Sequence, residues 1–303
     1  MTNLSSRSLI FISTLLFKVF IANGQMIYNQ TGKAFTDEPF FDEFFVRANQ
    51  IKEISGKYSR KKDGDMVRET NDFFRFRFDS LGHLISTYEI RTLAGLTDTL
   101  YNFYEYNEFG KLILHRKSEI GGISAYRYKY DSVQRVVEIE HRRDIIDKNG
   151  NVLQSNLINR ETMRYVPFKN SYKKVIYNSY NLPYMEEFDE YNADGYLIRE
   201  TKRMRMADSD YHKVFIYNEK GRLAKVKFIH NEEENPYEEW QFRYDEFGNV
   251  IEKHIYKRGV FKNDIQIIYD TKTGLLGSTI QREVGANFMM ILRLNHYEFY
   301  GRN

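Results

Sequence analysis

An acidic loop flanked by large aromatic side chains is the part of the sequence most suggestive of ligand binding. The loop is Glu232–Glu234, and it is followed by Tyr237 and by Trp240, the only tryptophan of the chain. Tyrosine and tryptophan anchor proteins and stack on sugar rings, because each combines a wide apolar face with a polar group. Tyr237 and Trp240 are therefore candidate ligand-binding residues. Burial of Trp240 in the core is the competing interpretation.

Residues for catalysis or metal binding form no recognisable pattern. The seven histidines show neither His-x-x-x-His nor His-Glu-x-x-His spacing. Glu232–Glu234 carry oxygen ligands suited to a hard cation, but adjacent acids point in different directions, so a solvated loop is the simpler interpretation. No nucleophile elbow, phosphate loop or dinucleotide fingerprint occurs, and the absence of cysteine excludes thiolate chemistry and disulfides. We expect no catalytic residue, no metal and no cofactor.

The charge balance argues against nucleic acid as a partner. Lys and Arg number 45 and Asp and Glu 42, which gives a formal net charge of +3. Residues 1–24 contain Arg7 and Lys18 and no acid, so without them the count is 43 against 42, or +1. A chain this close to neutrality has no global field that would attract a polyanion.

Residues 1–24 have the pattern of an export signal peptide. Arg7 precedes an apolar stretch from Leu9 to Ala22, which is too short to span a bilayer comfortably and typical of a signal core. Ala22 and Gly24 supply the small residues of a cleavage site, which predicts cutting before Gln25. A membrane anchor or a buried first helix is the alternative. We expect an exported protein, periplasmic, at the cell surface or secreted, with no membrane span in the mature chain.

A repeated phrase dominates the rest of the sequence: aromatic, any residue, aromatic, Asp or Asn, any two residues, Gly, any residue, then Leu or Val. Tyr104–Leu112 reads YEYNEFGKL and Phe242–Val250 reads FRYDEFGNV. The alternation predicts a half-buried strand, the Asp or Asn side chain opens a turn, and Gly supplies the positive φ that a short hairpin requires. The turn residues predicted in this way are Asp79, Gly82, Asn107, Gly110, Asn192, Gly195, Asn218, Gly221, Asp245 and Gly248.

The spacing of the phrase predicts a chain of hairpins. Most copies are 24 to 28 residues apart, and an interval of 61 residues after Tyr130 indicates a hidden copy near Ile176–Asn178 and an insertion around Asp147–Asn151. No helical pattern lies between copies, which favours antiparallel pairing. The predicted fold class is all-β: an antiparallel meander of repeated hairpins that forms one curved or spiralling sheet, with a short N-terminal helix.

The residues before the repeats are predicted to form a separate N-terminal segment, 25–72, ahead of a repeat domain over 73–303. Thr36–Pro39 offers a helix start, the phenylalanines between Phe40 and Phe45 would share one face, and Asn49 would end the helix. Gly64 marks the turn of a first hairpin. We expect the helix to cover the first open edge of the sheet; docking of a partner is the alternative.

The phrase resembles the YD repeat of the RHS/YD family, which comprises exported bacterial proteins and their animal relatives. The resemblance runs from Phe73 to Leu276 and is strongest at Tyr104–Leu112 and Phe242–Val250. In that family, successive repeats join into a long spiralling sheet, and large members enclose a toxin or present a surface to carbohydrate or protein. The resemblance implies a small exported sheet protein here, with too few repeats for a closed shell and no cargo domain.

The expected function is a non-catalytic binding or scaffolding module at the cell envelope, with a glycan or a protein as its ligand. One alternative is a glycan-acting hydrolase that uses surface carboxylates. Another is an immunity-like or chaperone-like partner of an exported toxin. Two facing carboxylates in a cleft would favour the enzyme, aromatic side chains along a surface would favour binding, and an uncovered sheet edge would favour strand addition. The sequence leaves the ligand and the oligomeric state open.

Overall fold

The computed structural model describes residues 25–93, 96–119, 122–147, 151–168, 171–207, 209–231 and 233–301, so the predicted signal peptide, residues 1–24, lies outside the described residues. One short helix, α1 (Glu43–Ala48), precedes the strands. The strands are β1 (Ile51–Lys62), β2 (Arg68–Phe78), β3 (Leu84–Leu93), β4 (Leu96–Tyr106), β5 (Leu112–Glu119), β6 (Gly122–Tyr130), β7 (Val136–Ile146), β8 (Val152–Phe168), β9 (Ser171–Tyr177), β10 (Pro183–Tyr191), β11 (Leu197–Met204), β12 (Ser209–Tyr217), β13 (Leu223–His230), β14 (Glu238–Tyr244), β15 (Val250–Lys257), β16 (Val260–Tyr269), β17 (Leu276–Glu283) and β18 (Phe288–Phe299).

The 18 strands form one closed antiparallel barrel in which each strand pairs with its neighbours in sequence. β18 returns to pair with β1, which also pairs with β2. The predicted all-β antiparallel meander is confirmed, and the sheet that was predicted to be curved or spiralling closes into a barrel instead of forming an open spiral. The predicted boundary after residue 72 falls inside β2, so the first hairpin belongs to the same sheet and supplies the partner for the last strand. Closure removes the two terminal edges that an open sheet exposes.

Except for the turn at Asn178, the hairpin turns that carry the phrase lie at one end of the barrel, here called the repeat rim. At each turn the Asp or Asn side chain accepts backbone hydrogen bonds, as Asn107 does from Phe109 and Lys111 at 3.0 and 2.9 Å. The glycine then takes a positive φ, 71° at Gly110, and Gln134 adopts the same conformation at 61° where the glycine is missing. A residue with a Cβ occupies this region only at a cost.

The hidden copy is confirmed. Asn178 accepts hydrogen bonds from the backbone N–H groups of Tyr180 and Leu182 at 3.0 and 3.1 Å, as the other turn residues do. Its turn joins β9 to β10 and therefore lies at the rim opposite the repeat rim, whereas the turn after β10 returns to the repeat rim.

The tyrosine of most phrases, and Tyr297 of β18, ties its strand to the preceding hairpin. Its hydroxyl donates to the carbonyl of the first residue of the preceding returning strand, as Tyr244 does to Leu223 at 2.7 Å. The same bond joins Tyr106 to Leu84, Tyr130 to Leu112, Tyr217 to Leu197, Tyr269 to Val250 and Tyr297 to Leu276. The bond satisfies a hydroxyl group that the packing of the ring takes out of water.

The N-terminal segment from Met26 to Val46 lies inside the barrel and completes the core. The Phe41 ring packs edge-on against Phe76 of β2, with 4.8 Å between ring centroids. A Cβ on Gly32 would lie 2.9 Å from the Val226 side chain of β13. β2 and β13 are far apart around the barrel, yet both contact the N-terminal segment. This is possible only if the segment lies inside the barrel.

Helix α1 is shorter than predicted and does not cover a sheet edge. It is capped by Asp42, whose carboxylate accepts from the Phe45 N–H at 2.7 Å, and it ends at Asn49 as predicted. The predicted start at Thr36–Pro39 is wrong, because residues 36–38 form bends after a turn in which the Thr36 N–H donates to the Lys33 carbonyl at 3.1 Å. The predicted edge-covering role is also wrong, because the closed sheet has no terminal edge at this point.

Lys253 is a charged side chain within this core, with 1% of its surface exposed. Its Nζ donates to the Ala34 carbonyl oxygen at 2.9 Å and lies 4.0 Å from the centroid of the Trp240 ring. Burial lowers the pKa of Lys253 to about 8, against a smaller opposite effect of Glu238. The lysine thereby holds the N-terminal segment to β15.

The free energy of unfolding should rise by about 1–2 kcal/mol between about pH 8 and pH 9.5. In that interval the unfolded chain still binds a proton on Lys253, with a pKa near 10.4, that the folded chain has released. Urea denaturation at both pH values measures the rise. Lys253→Met should abolish it, whereas Lys213→Met, at a half-exposed lysine, should retain it. A flat wild-type profile would contradict the prediction.

Candidate functional site

The two predicted ligand-binding residues do not form a common surface. Trp240 is largely buried on the inner face, where its indole packs on Phe228 with 4.6 Å between ring centroids and its N–H donates to Glu238. Tyr237 remains exposed at the opposite rim, beside a shallow depression that also borders His230 and Tyr256. Trp240 is thus a core residue, in line with the competing interpretation.

Neither metal binding nor a transmembrane helix is found in the part of the chain that the structure describes. No group of three His, Asp or Glu side chains there is arranged to hold a metal ion. No helix among residues 25–301, outside the internal gaps, has the length and apolarity needed to cross a bilayer.

A cleft at the repeat rim brings together five tyrosines and three amide side chains. It lies between the N-terminal segment and the turns that follow β10 and β12, and has a volume of about 770 Å³. We call it the tyrosine cleft, after its lining residues Tyr28, Tyr191, Tyr196, Tyr217 and Tyr244. Tyr28, Tyr191 and Tyr196 are exposed, so their ring faces are available to a ligand.

The floor of the tyrosine cleft is fixed by the bonds that build the barrel. Tyr217 donates to the Leu197 carbonyl at 2.9 Å, and Tyr244 donates to the Leu223 carbonyl. The Asn29 side-chain amide donates to the Tyr244 hydroxyl at 3.0 Å, which joins the N-terminal segment to the floor. These tyrosines are held in position without a ligand.

The Tyr196 ring forms one wall and depends on a glycine in the next turn. Its centroid lies 4.8 Å from that of Tyr217. A Cβ on Gly221 would lie only 2.4 Å from the Tyr196 hydroxyl oxygen. Gly221 therefore serves both its own turn, with φ 71°, and the placement of Tyr196.

Polar groups around the aromatic wall can act as both hydrogen-bond donors and acceptors. The amides are Gln25, Asn29 and Gln30, and the charged side chains are Asp42, Asp194, Lys220 and Arg222. Amide groups donate and accept at once, which suits hydroxyl groups. Aromatic faces beside such groups match a sugar ring, which has apolar C–H faces and a hydroxyl perimeter.

Gly221→Ala is expected to weaken ligand binding at the tyrosine cleft more than Gly195→Ala does. Both glycines have positive φ, 71° and 82°, so both substitutions should destabilise the fold by about 1 kcal/mol. Only the Gly221 substitution adds a Cβ that displaces Tyr196, because no atom lies within 4 Å of the corresponding position on Gly195. Thermal melts and calorimetric titration compare the pair; equal binding losses would contradict the assigned role of Tyr196.

Two carboxylates lie above the tyrosine cleft on the inner face. Asp189 of β10 is directly opposite Glu200 of β11, two residues from Tyr191 on the same strand. Asp189 keeps contact with solvent, yet burial against the inner wall, and next the Glu200 carboxylate, raise its pKa. Cross-strand neighbours have Cβ atoms about 4.5–5.5 Å apart. A carboxyl with a raised pKa beside a second carboxyl is the arrangement used in glycoside hydrolysis.

Sequence reasoning missed the tyrosine cleft, although several of its residues belong to the phrase. Tyr191, Tyr217 and Tyr244 were identifiable only as strand aromatics, and nothing local distinguishes them from Tyr106 or Tyr269. Tyr196 carried a signal, because it occupies a turn position that is His, Lys, Arg or Asn in other copies. The remaining wall comes from Tyr28, in a segment whose polar composition predicts a loose tail.

Comparisons with known proteins give no family assignment. No family model matches the chain, and no curated protein matches it. Similar solved structures include a porin-like protein from Bacteroides uniformis, with 9% identity and a TM-score of 0.37 over 82% of this chain and 98% of that one. They also include the TcdB2-TccC3-Cdc42 structure (12% identity, TM-score 0.28, 76% of this chain) and the Photorhabdus luminescens Tc holotoxin pore (13%, 0.26, 77%).

These likenesses are too distant to support an argument about function. This chain covers only 15% of each of the two toxin chains. What the described residues define is therefore a structural class: a closed antiparallel barrel of 18 strands, with its own N-terminal segment packed inside.

Proposed function

We propose that this protein is an exported, non-catalytic binding module of the RHS/YD type that holds an oligosaccharide in the tyrosine cleft. The observation that carries the proposal is the convergence of five tyrosines and three amides on one open cleft of about 770 Å³. That volume is within the range of small-ligand sites, about 300–1,000 Å³. The floor residues are already ordered by the barrel, so binding costs little side-chain entropy.

A glycan array followed by calorimetric titration of the best oligosaccharide tests the proposal. Tyr191→Ala and Tyr196→Ala should each weaken binding about tenfold or more, because each removes an exposed stacking face. Tyr180→Ala is the matched control, since Tyr180 is the most exposed tyrosine of the described chain and lies at the opposite rim. Unchanged affinity in both cleft variants, or an equal loss in the control, would count against the proposal.

A glycan-acting hydrolase is the second candidate, favoured by the Asp189–Glu200 pair alone. In this reading Asp189, with its raised pKa, donates a proton to the leaving oxygen, and the Glu200 carboxylate acts as the base or nucleophile. Release of reducing ends from the bound oligosaccharide is the readout. Asp189→Asn and Glu200→Gln should then abolish release and leave binding intact. Binding without release by the wild type supports the non-catalytic module.

A further inference from the structure

A second cavity lies inside the barrel and shares no lining residue with the tyrosine cleft. It has a volume of about 430 Å³ and lies between residues 35–40 and the inner faces of β1–β4 and β16–β18. We call it the inner cavity. Protein interiors are close-packed and leave few voids larger than a water molecule. A space of this size within the core is therefore a candidate ligand site.

The deep end of the inner cavity is apolar. Leu84 and Leu276, the first residues of β3 and β17, form the end nearest the repeat rim. Phe76, Leu292 and Leu294 line the cavity further along, and all five side chains are buried. A hydrocarbon group placed against them is removed from water, which is favourable in proportion to the apolar area that is covered. The deep end therefore suits hydrocarbon.

The mouth of the inner cavity is polar and lies toward the rim opposite the repeat rim. Arg91 and Gln281 are each two residues from the end of their strand, Leu93 in β3 and Glu283 in β17, and both are exposed. Along β3 the lining runs from Leu84 to Arg91, which is about 20 Å at about 3.3 Å per residue. A volume of about 430 Å³ over that length is narrow. The shape therefore suits a single extended chain.

The base at the mouth is already neutralised. Among the described residues that line the cavity, Arg91 is the one base. Its Nε–H donates to the Glu89 carboxylate at 2.7 Å, and the Tyr58 hydroxyl donates to the same oxygen at 2.6 Å. Glu89 is buried, so its separation from Arg91 would leave a buried charge unpaired. An anionic head group would therefore have to compete with Glu89 for the guanidinium.

The two other acids that border the inner cavity give a cationic head group little to bind. Asp37 and Glu38 belong to the N-terminal segment, and both are exposed. Glu38 is paired with Lys33 at 2.7 Å, and the attraction of an exposed carboxylate such as Asp37 is screened by water. Gln281 and Thr279 also line the cavity, and their side chains can bond a hydroxyl group. The lining therefore favours an uncharged head group.

We propose that the inner cavity binds the hydrocarbon chain of an uncharged amphiphile, such as a long-chain alcohol, with its hydroxyl group at the mouth. The chain lies against Leu276 and Leu292, and the hydroxyl group lies beside Gln281. Because the two sites share no lining residue, this binding is independent of the oligosaccharide proposed for the tyrosine cleft.

Displacement of the uncharged dye N-phenylnaphthylamine tests the chemical class of the ligand. The dye brightens in apolar surroundings, so its fluorescence reports occupancy of the cavity. Decanol should displace the dye from the wild type at a concentration about tenfold lower than decanoate or decylammonium requires. These three ligands have the same chain and differ in the charge of the head group. Equal or better displacement by either charged ligand would overturn the proposal.

Thr279→Phe tests the location of the site. The added ring would project into the inner cavity, so the affinity for the dye should fall about tenfold or more. Thr99→Phe is the matched control, because Thr99 is exposed and adjoins the lining residue Leu100 in β4, so it points to the outer face. Tyr196→Ala, which alters the tyrosine cleft, should also leave dye binding unchanged. A loss of affinity in either of these two variants would contradict the assigned location.

Methyl NMR of the wild type gives a readout that does not depend on any variant folding. Decanol should shift the resonances of Ile265 and Leu292, which line the inner cavity, and leave those of Val175 in β9 unchanged. Resonances of Ile265 and Leu292 that stay unchanged up to the solubility limit of decanol would overturn the proposal.

Discussion

Raising the pH from about 10 to about 12 is expected to unfold the barrel cooperatively. Burial raises the pKa of Tyr128 and of Tyr244 to about 12, and it raises the pKa of Tyr106, Tyr269 and Tyr297 further. The folded-state pKa of these tyrosines exceeds the unfolded value near 10. Their contribution to the free energy of unfolding is therefore complete below pH 10 and is lost as the pH rises through the folded-state pKa values. One pKa unit corresponds to about 1.4 kcal/mol, so several such tyrosines together exceed a typical stability of about 5–15 kcal/mol.

Far-ultraviolet circular dichroism and tyrosinate absorbance, followed on one sample, measure this transition. The buried tyrosines should ionise together with the loss of the strand signal. Tyr297→Phe serves as the matched variant, because it removes one buried titrating group and should move the midpoint to higher pH. Ionisation of all the tyrosines while the strand signal persists would show that the rings are not held in the interior.

Gly56→Ala is expected to destabilise the protein by about 3 kcal/mol or more, and in doing so to weaken the closure of the barrel. Gly56 lies in β1 at a register shift in the pairing with β18. A Cβ there would be 1.8 Å from the Arg293 carbonyl oxygen and 2.9 Å from the Leu294 Cα. These are backbone atoms, so no side-chain rotation relieves the overlap, and the two strands have to separate.

Gly277→Ala is the control for this substitution. Gly277 is also a strand glycine without positive φ, but the closest atom to its added Cβ is the Ile268 carbonyl oxygen at 3.4 Å. Chemical denaturation should place the Gly277 variant within about 1 kcal/mol of the wild type. Hydrogen exchange should locate the loss of protection in the Gly56 variant to β1 and β18. Equal stability of the two variants would contradict the close contact at the closure.

The repeated hairpins could be predicted from the sequence because their determinants are local. Asn107 and Gly110 lie within one turn, and the hydrogen bonds that the Asn107 carboxamide oxygen accepts within it come from residues at most four positions away. The hidden copy at Asn178 was detectable for the same reason. The phrase therefore predicts the strands, the turns and the antiparallel order without any knowledge of the rest of the chain.

Closure and the tyrosine cleft could not be predicted, because both depend on residues distant in sequence. β18 carries no phrase, and only its pairing with Tyr58 and its neighbours in β1 shows that it ends the ring. Tyr217 and Tyr269 have the same tie to a preceding carbonyl. Tyr217 lines the cleft and Tyr269 does not, because the N-terminal segment leaves space beside the first and fills the space beside the second.

The neighbour-to-neighbour order of the strands has a consequence for how the chain reaches its native state. Seventeen of the 18 pairings join consecutive strands, and a single pairing, β1 with β18, joins the two ends of the sheet. Local hairpins form quickly, whereas contacts of large sequence separation are slow to find. Assembly should therefore advance as a growing ribbon whose last and slowest event is the joining of its ends around residues 26–46. Until that event, both edge strands of the ribbon are unpaired, and the rate at which β1 pairs with β18 sets the time during which the chain can aggregate.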